Sequence, residues 1–121
     1  MAASTPTINN NVQPGDGSVI LSTWNLTTAD PSGGAFEWAQ WADRCFQAVG
    51  TNWGGATLAI EGSNDGSTWF TLSNAAGGTA ATFTADGGKQ ILEVPRFVRP
   101  KLTTAGTAAV VAAILLARRS T

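Results

Sequence analysis

The sequence predicts an all-β fold: an antiparallel, jelly-roll-like β-sandwich of about eight short strands that follows an extended N-terminal arm. Apolar and polar residues alternate in short runs, as they do in half-buried strands. Clusters of Gly, Pro, Asn, Asp and Ser separate these runs at intervals of roughly ten residues. The periodicity of an amphipathic helix is missing. We assign residues 1–17 to the arm and 18–121 to one sandwich domain, for which 121 residues are sufficient.

The arm, residues 1–17, has little apolar patterning. Proline and glycine recur in it, and Ile8 and Val12 are its only branched apolar anchors. We therefore predict that it is disordered in the free protein and becomes ordered against a partner. It has neither the basic region nor the apolar region of a signal peptide.

Eight segments carry the strand pattern: 18–26, 36–49, 56–61, 68–72, 80–84, 89–94, 96–103 and 107–117. In the second segment the alternation slips between Trp38 and Trp41, which predicts a bulge or a bend between two strands. In the fourth segment we expect Phe70 and Leu72 to share one face of the sheet.

The last segment, 107–117, is the longest apolar run of the chain. It is too short to cross a bilayer as a helix, which takes roughly 20 residues. As a strand it would carry apolar side chains on both faces, whereas a sandwich strand normally turns one face to solvent. We therefore predict self-association, with a trimer favoured, through a candidate interface that contains Val110, Val111, Ile114 and Leu116.

The chain contains five tryptophans, which is a large number for 121 residues of which only 12% are charged. Each buried aromatic side chain removes about 150–250 Å² from water, and a sandwich of this size can bury two or three of them. We expect Trp38 and Trp69 in the core. Trp41 and Trp53 are expected nearer to a contact surface, because apolar surface left exposed marks an interface.

The segment 61–69, EGSNDGSTW, lies between two candidate strands. Asn64, Asp65 and Gly66 stand at the reversal, and these residue types tolerate positive φ and close their own turns. A calcium loop would need further acidic ligands beside Glu61 and Asp65. The segment is therefore predicted to be a structural hairpin turn.

The composition argues against several classes of function. Histidine, the commonest general base and metal ligand at neutral pH, is absent. A net charge of −1 gives no general attraction to nucleic acid. The single cysteine, Cys45, is expected to be a buried, inert thiol. Asp43 and Glu61 could form a glycosidase-type pair, but some such pair is expected by chance. We expect a protein that is not an enzyme, without cofactor, metal or membrane partner.

Residues 49–78, VGTNWGGATLAIEGSNDGSTWFTLSNAAGG, are followed by TFTADG, VPRFVRPKLT and a closing apolar strand. This pattern resembles small β-sandwich proteins encoded among tailed-phage virion genes. The resemblance covers roughly residues 36–119, and its most specific pieces are GSNDG at 62–66, Trp69 and Arg99-Pro100. It implies a head decoration, or cement, protein that is made in the host cytoplasm, sits on the capsid surface of the virion and binds the major capsid protein.

Two other functions remain open on the sequence. The turn SNDGSTW is also similar to one in discoidin-like carbohydrate-binding modules. A module of that kind in a phage tail or adhesion device would use Trp41 or Trp53 as a stacking platform. The third alternative is a structural subunit of the phage neck or tail.

Overall fold

The computed structural model describes residues 5–9, 18–37 and 41–119. These residues form strands and no helix. In chain order the strands are β1 (Thr7–Asn9), β2 (Val19–Thr27), β3 (Phe36–Glu37), β4 (Trp41–Asn52), β5 (Thr57–Ser63), β6 (Phe70–Thr71), β7 (Thr82–Phe83), β8 (Gly87–Gln90), β9 (Phe97–Thr104) and β10 (Val110–Arg119).

The strands form two antiparallel sheets. The first sheet has the order β1-β2-β10-β4-β8. The second has the order β3-β9-β5, and β6 and β7 pair with different parts of β5 along its remaining side. The two sheets enclose one cluster of buried apolar side chains, which confirms the predicted antiparallel β-sandwich.

The connectivity is that of a jelly roll. The pairs nest within one another: β2 pairs with β10, β3 with β9, β4 with β8, and β5 with β6 and β7. The chain therefore behaves as one long hairpin rolled up on itself, with successive pairs placed alternately in the two sheets. Each of the eight predicted segments overlaps at least one strand, and ten strands arise because β1 lies in the arm and segment 36–49 divides into β3 and β4.

The division of segment 36–49 explains the slip in its alternation. β3 belongs to the second sheet and β4 to the first, so the chain crosses from one sheet to the other between them. Phe36 still packs inward, at 8% exposure. The predicted core residue Trp38 lies between β3 and β4, outside the described residues.

Trp24 is the tryptophan at the centre of the core. It is fully buried, and its ring lies 5.9 Å from that of Phe46 and 6.3 Å from that of Phe36, measured between centroids. Its indole Nε1 donates a hydrogen bond to the Gly34 carbonyl oxygen, at 2.8 Å, so the buried polar group is satisfied. These contacts join β2, β3 and β4 across the two sheets.

Part of the arm is a strand rather than disordered chain. Thr7–Asn9 pairs with Leu21–Thr23 at the outer edge of β2, and its three side chains are exposed. The prediction of disorder is wrong for these residues, because the main chain of β2 supplies hydrogen-bonding groups that amino-acid composition does not reveal. The other residues of the arm that the prediction covered, apart from residues 5 and 6, lie outside the described residues.

Two further segments differ from the sequence prediction. Leu72 is buried but Phe70 is 46% exposed, so they do not share a buried face. Segment 89–94 is a strand only as far as Gln90. Beyond it the main-chain nitrogen of Leu92 donates to the Ser73 carbonyl oxygen in a connection between the sheets, which breaks the regular ladder.

Candidate interaction surface

The outer side of the first sheet carries an apolar row along β10. Val110, Ala112, Ile114 and Leu116 alternate with buried residues, and they point away from the core. Val110 is 47% exposed, and the other three are partly exposed. We call this outer side of the first sheet the β10 face.

Neighbouring strands extend the apolar row and surround it with uncharged polar groups. Leu21 of β2 lies opposite Leu116, and Val49 of β4, which is 38% exposed, lies opposite Ala112. Polar positions of the same face include Thr23, Asn25 and Thr27 on β2, Cys45 and Gln47 on β4, and Gln90 on β8. Among the side chains described on this face, Arg118 at the end of β10 is the only charged one.

Val111 does not belong to the β10 face. It is 1% exposed and points into the core with Ala113, Leu115 and Ala117. The predicted interface of Val110, Val111, Ile114 and Leu116 is therefore corrected: Val111 is a core residue and the other three lie on the outer side. The sequence showed apolar residues on both sides of the strand but not which side was inward.

Trp53 lies on the other side of the sheet from the apolar row. Its ring packs over Gly50, where a Cβ atom would overlap the indole, and Gly50 pairs with the inward-facing Val111. The Trp53 indole nitrogen and the Gly50 main-chain nitrogen both donate to Asp86 Oδ1, each at 2.8 Å. These two hydrogen bonds, that from Gly50 first, lower the pKa of Asp86. Trp53 therefore covers the edge of the core and does not lie on the same face of the sheet as Ile114.

Trp41 occupies the first position of β4, where it pairs with Arg119. Its side chain lies outside the described residues. Cys45, four residues further along β4, is exposed, so the prediction of a buried thiol is wrong. Because Arg44 and Phe46 both point inward, alternation along the strand turns Cys45 outward.

The turn at 64–66 is held by its own polar groups. Asp65 Oδ1 accepts hydrogen bonds from the main-chain nitrogens of Ser67 and Thr68 and from the Ser63 hydroxyl, each at 2.8 Å. These bonds, that from Thr68 first, lower the pKa of Asp65 to about 2. Gly66 adopts a φ of 75°, in the left-handed region that glycine tolerates best.

Asn64 connects this turn to the start of β9. Its Oδ1 accepts a hydrogen bond from the main-chain nitrogen of Arg96, at 3.0 Å. Asn64 and Asp65 therefore both direct side-chain oxygens at main-chain groups of the fold, which is the chemistry of a structural corner.

Trp69 takes part in a charged cluster on the outside of the second sheet. The guanidinium carbon of Arg99 lies 4.1 Å from the centroid of the Trp69 ring, and Arg99 Nε donates to Glu61 Oε1 at 2.9 Å. The prediction of a core position for Trp69 is therefore wrong. Glu61 and Asp43 belong to strands of different sheets, and the carboxylate of Glu61 is engaged by Arg99. This cluster could not be predicted from the sequence, because it depends on the pairing of β5 with β9.

No protein-family model matches the chain, and no curated protein shows a significant match. Over the described part of the chain, no group of three or more His, Cys, Asp or Glu side chains could hold a metal ion. The same residues contain no helix that is long and apolar enough to cross a membrane.

Proposed function

We propose that the protein is a non-enzymatic structural component of a virion that decorates the outer surface of the assembled head and stabilises it. The observation that carries the proposal is the β10 face. Its apolar centre is partly exposed, and Arg118 is the only charge among its described side chains. Depletion of charge at the centre of a surface patch is typical of a protein–protein interface. The protein therefore acts as a part of an assembly.

The fold supports this proposal without determining it. Jelly rolls are found in viral capsid domains, but they are also found in lectins and cupins. Because one fold serves many functions, the assignment needs the surface as well. The resemblance of residues 36–119 to phage virion proteins favours the capsid among the assemblies that such a surface could serve.

The N-terminal arm provides a means of attachment to the capsid. β1 is held at the edge of β2 by main-chain pairing, and the side chains of Thr7–Asn9 are exposed. An edge strand presents main-chain groups that another chain can pair with. We expect residues 1–17 to contact the major capsid protein.

Decoration stabilises the head by mass action. A protein that binds only the assembled lattice adds its own binding free energy to the assembled state. The same contribution recurs at every copy bound. Adding the protein should therefore raise the temperature at which the lattice dissociates.

Reconstitution on undecorated shells tests the proposal. Purified phage heads that lack the protein are mixed with the full chain, and co-sedimentation and the melting temperature of the shells are measured. The full chain is expected to bind and to raise the melting temperature. A chain without residues 1–17 should fold but bind more weakly, and Thr103→Glu, an exposed change on β9, should bind as the native chain does. A full chain that does not bind contradicts the proposed function. A truncated chain that binds as well as the full chain contradicts attachment through residues 1–17.

The carbohydrate-binding alternative gains little support from Trp53. A stacking platform needs an open aromatic face, whereas the Trp53 ring is partly buried, packs over Gly50 and is tethered to Asp86. Glycan-array binding by the purified chain would favour this alternative. Presence of the protein in only a few copies per virion would instead favour a neck or tail subunit.

A further inference from the structure

The β10 face has the anatomy of an interface that is centred on one strand. β10 is the middle strand of the first sheet, with β2 and β1 on one side and β4 and β8 on the other. The apolar row therefore lies at the centre of the face, and Asn25, Gln47 and Gln90 lie around it. An apolar centre with a polar rim is the usual arrangement of a specific protein–protein contact.

The distribution of charge favours an identical partner. Different proteins select one another largely through complementary charges, and the described side chains of this face offer only Arg118, at its end. In a symmetric contact each charge near the centre would meet its own copy and repel it. A face that is uncharged at its centre avoids that cost, so it suits contact with itself.

The size of the face sets the expected strength of such a contact. Nine residue pairs join β2 to β10. At about 3.3 Å per residue and about 4.8 Å per strand, β2, β10, β4 and part of β8 cover about 500 Å², or about 1,000 Å² in a pair of faces. Specific, stable interfaces bury roughly 1,200–2,000 Å² in total, so a contact through this face alone lies just below that range and should be weak. The association should therefore depend on protein concentration.

From these observations we infer that a second copy of this chain covers the β10 face, so that the protein is a two-fold dimer with the two first sheets packed face to face. A single flat patch that meets itself gives a closed, two-fold assembly, whereas a trimer needs two different patches. Sheets packed in this way stand about 10 Å apart with their strands nearly aligned. The inference rests on the proposed function in taking the β10 face as a contact surface, and it names the partner.

Variants on the face and away from it test the dimer. Ile114→Glu places a carboxylate at the centre of the face. Gln47→Glu places one beside it, at an exposed position opposite Ile114, with almost no change in side-chain size. Thr103→Glu adds the same charge to an exposed position of the second sheet and serves as the matched control. Circular dichroism verifies that each variant is folded.

Light scattering of the purified full chain, over a wide range of concentration, gives the mass. The native chain and Thr103→Glu are expected to approach twice the monomer mass, and Ile114→Glu and Gln47→Glu to remain monomers. The only cysteine, Cys45, lies on the same face, so its reaction with a maleimide should slow as the native dimer forms. A native chain that stays monomeric, a trimer mass, or a dimer that neither variant weakens would overturn the inference.

No capsid protein is present in this experiment. A monomeric native chain therefore overturns the dimer and leaves attachment to the head as proposed. Failure to bind undecorated shells overturns the proposed function and leaves the dimer as inferred.

Discussion

Two positions of β10 that lie three residues apart should respond very differently to the same charge. Val111 is 1% exposed and lies in the core, whereas Ile114 lies on the β10 face and is partly exposed. We compare Val111→Glu with Ile114→Glu, and with Thr103→Glu as the control for a carboxylate added to an exposed strand position.

The structure sets the expected magnitudes. Val111→Glu forfeits the burial of a valine side chain, worth about 1.5–3 kcal/mol. It also leaves a carboxylate unpaired in the core, which costs on the order of 3–5 kcal/mol. A domain of this size has a free energy of unfolding of about 5–15 kcal/mol, so this variant should be unfolded or nearly so. Ile114→Glu should cost no more than about 2 kcal/mol, from partial burial and lower strand propensity.

Urea denaturation followed by tryptophan fluorescence measures both values. Trp24 is fully buried, so its emission reports loss of the core. Measurements at low protein concentration keep association out of the comparison. If Val111→Glu proved no more destabilising than Ile114→Glu, the assignment of inner and outer faces of β10 would be wrong, and the β10 face with it.

The corner at 64–66 gives two further predictions. Gly66→Val forces a β-branched side chain into a φ of 75° and should lower the free energy of unfolding by about 1–3 kcal/mol. We expect a lower melting temperature with unchanged dimer mass. A variant of native stability that no longer assembles would contradict a structural role for Gly66. The pKa of Asp65 is about 2 in the folded protein against 3.8 for an ordinary aspartate, so its carboxylate stabilises the fold above about pH 4, and this contribution is lost as the pH falls towards 2. Asp65→Asn should reduce the dependence of stability on pH in that window, as followed by thermal melts at stepped pH, and an unchanged dependence would refute the assignment.

Local alternation predicted much of the fold. Ile20, Trp24 and Leu26 alternate along β2 and are all buried, and the slip near Trp38 marked the crossing from one sheet to the other. Alternation also fixes the direction of Cys45, since both of its neighbours in β4 are buried. The prediction of a buried thiol was wrong because it was based on the usual burial of cysteine and not on the alternation of side chains along β4.

The features that the sequence analysis did not predict correctly depend on contacts between residues that are distant in sequence. Trp69 lies outside the core, where Arg99, thirty positions later in the sequence, stacks on it from β9, on the far side of β5. Neither segment alone shows that β5 brings these two residues together. The face of β10 that points inward is set by the opposing sheet, since both of its faces are apolar in sequence. Trp53 is fixed by Asp86 in the same way, through a hydrogen bond across the connection before β8.

Imaging can show whether the protein binds the outside of an assembled head, as proposed. Undecorated shells are incubated with the full chain and examined by electron cryomicroscopy at a resolution that separates the two sheets. We predict density for the jelly roll on the outer surface at every equivalent lattice position, with the β10 face buried against protein. Shells without added density, or density confined to the neck or tail of complete virions, would rule out decoration of the head by this protein.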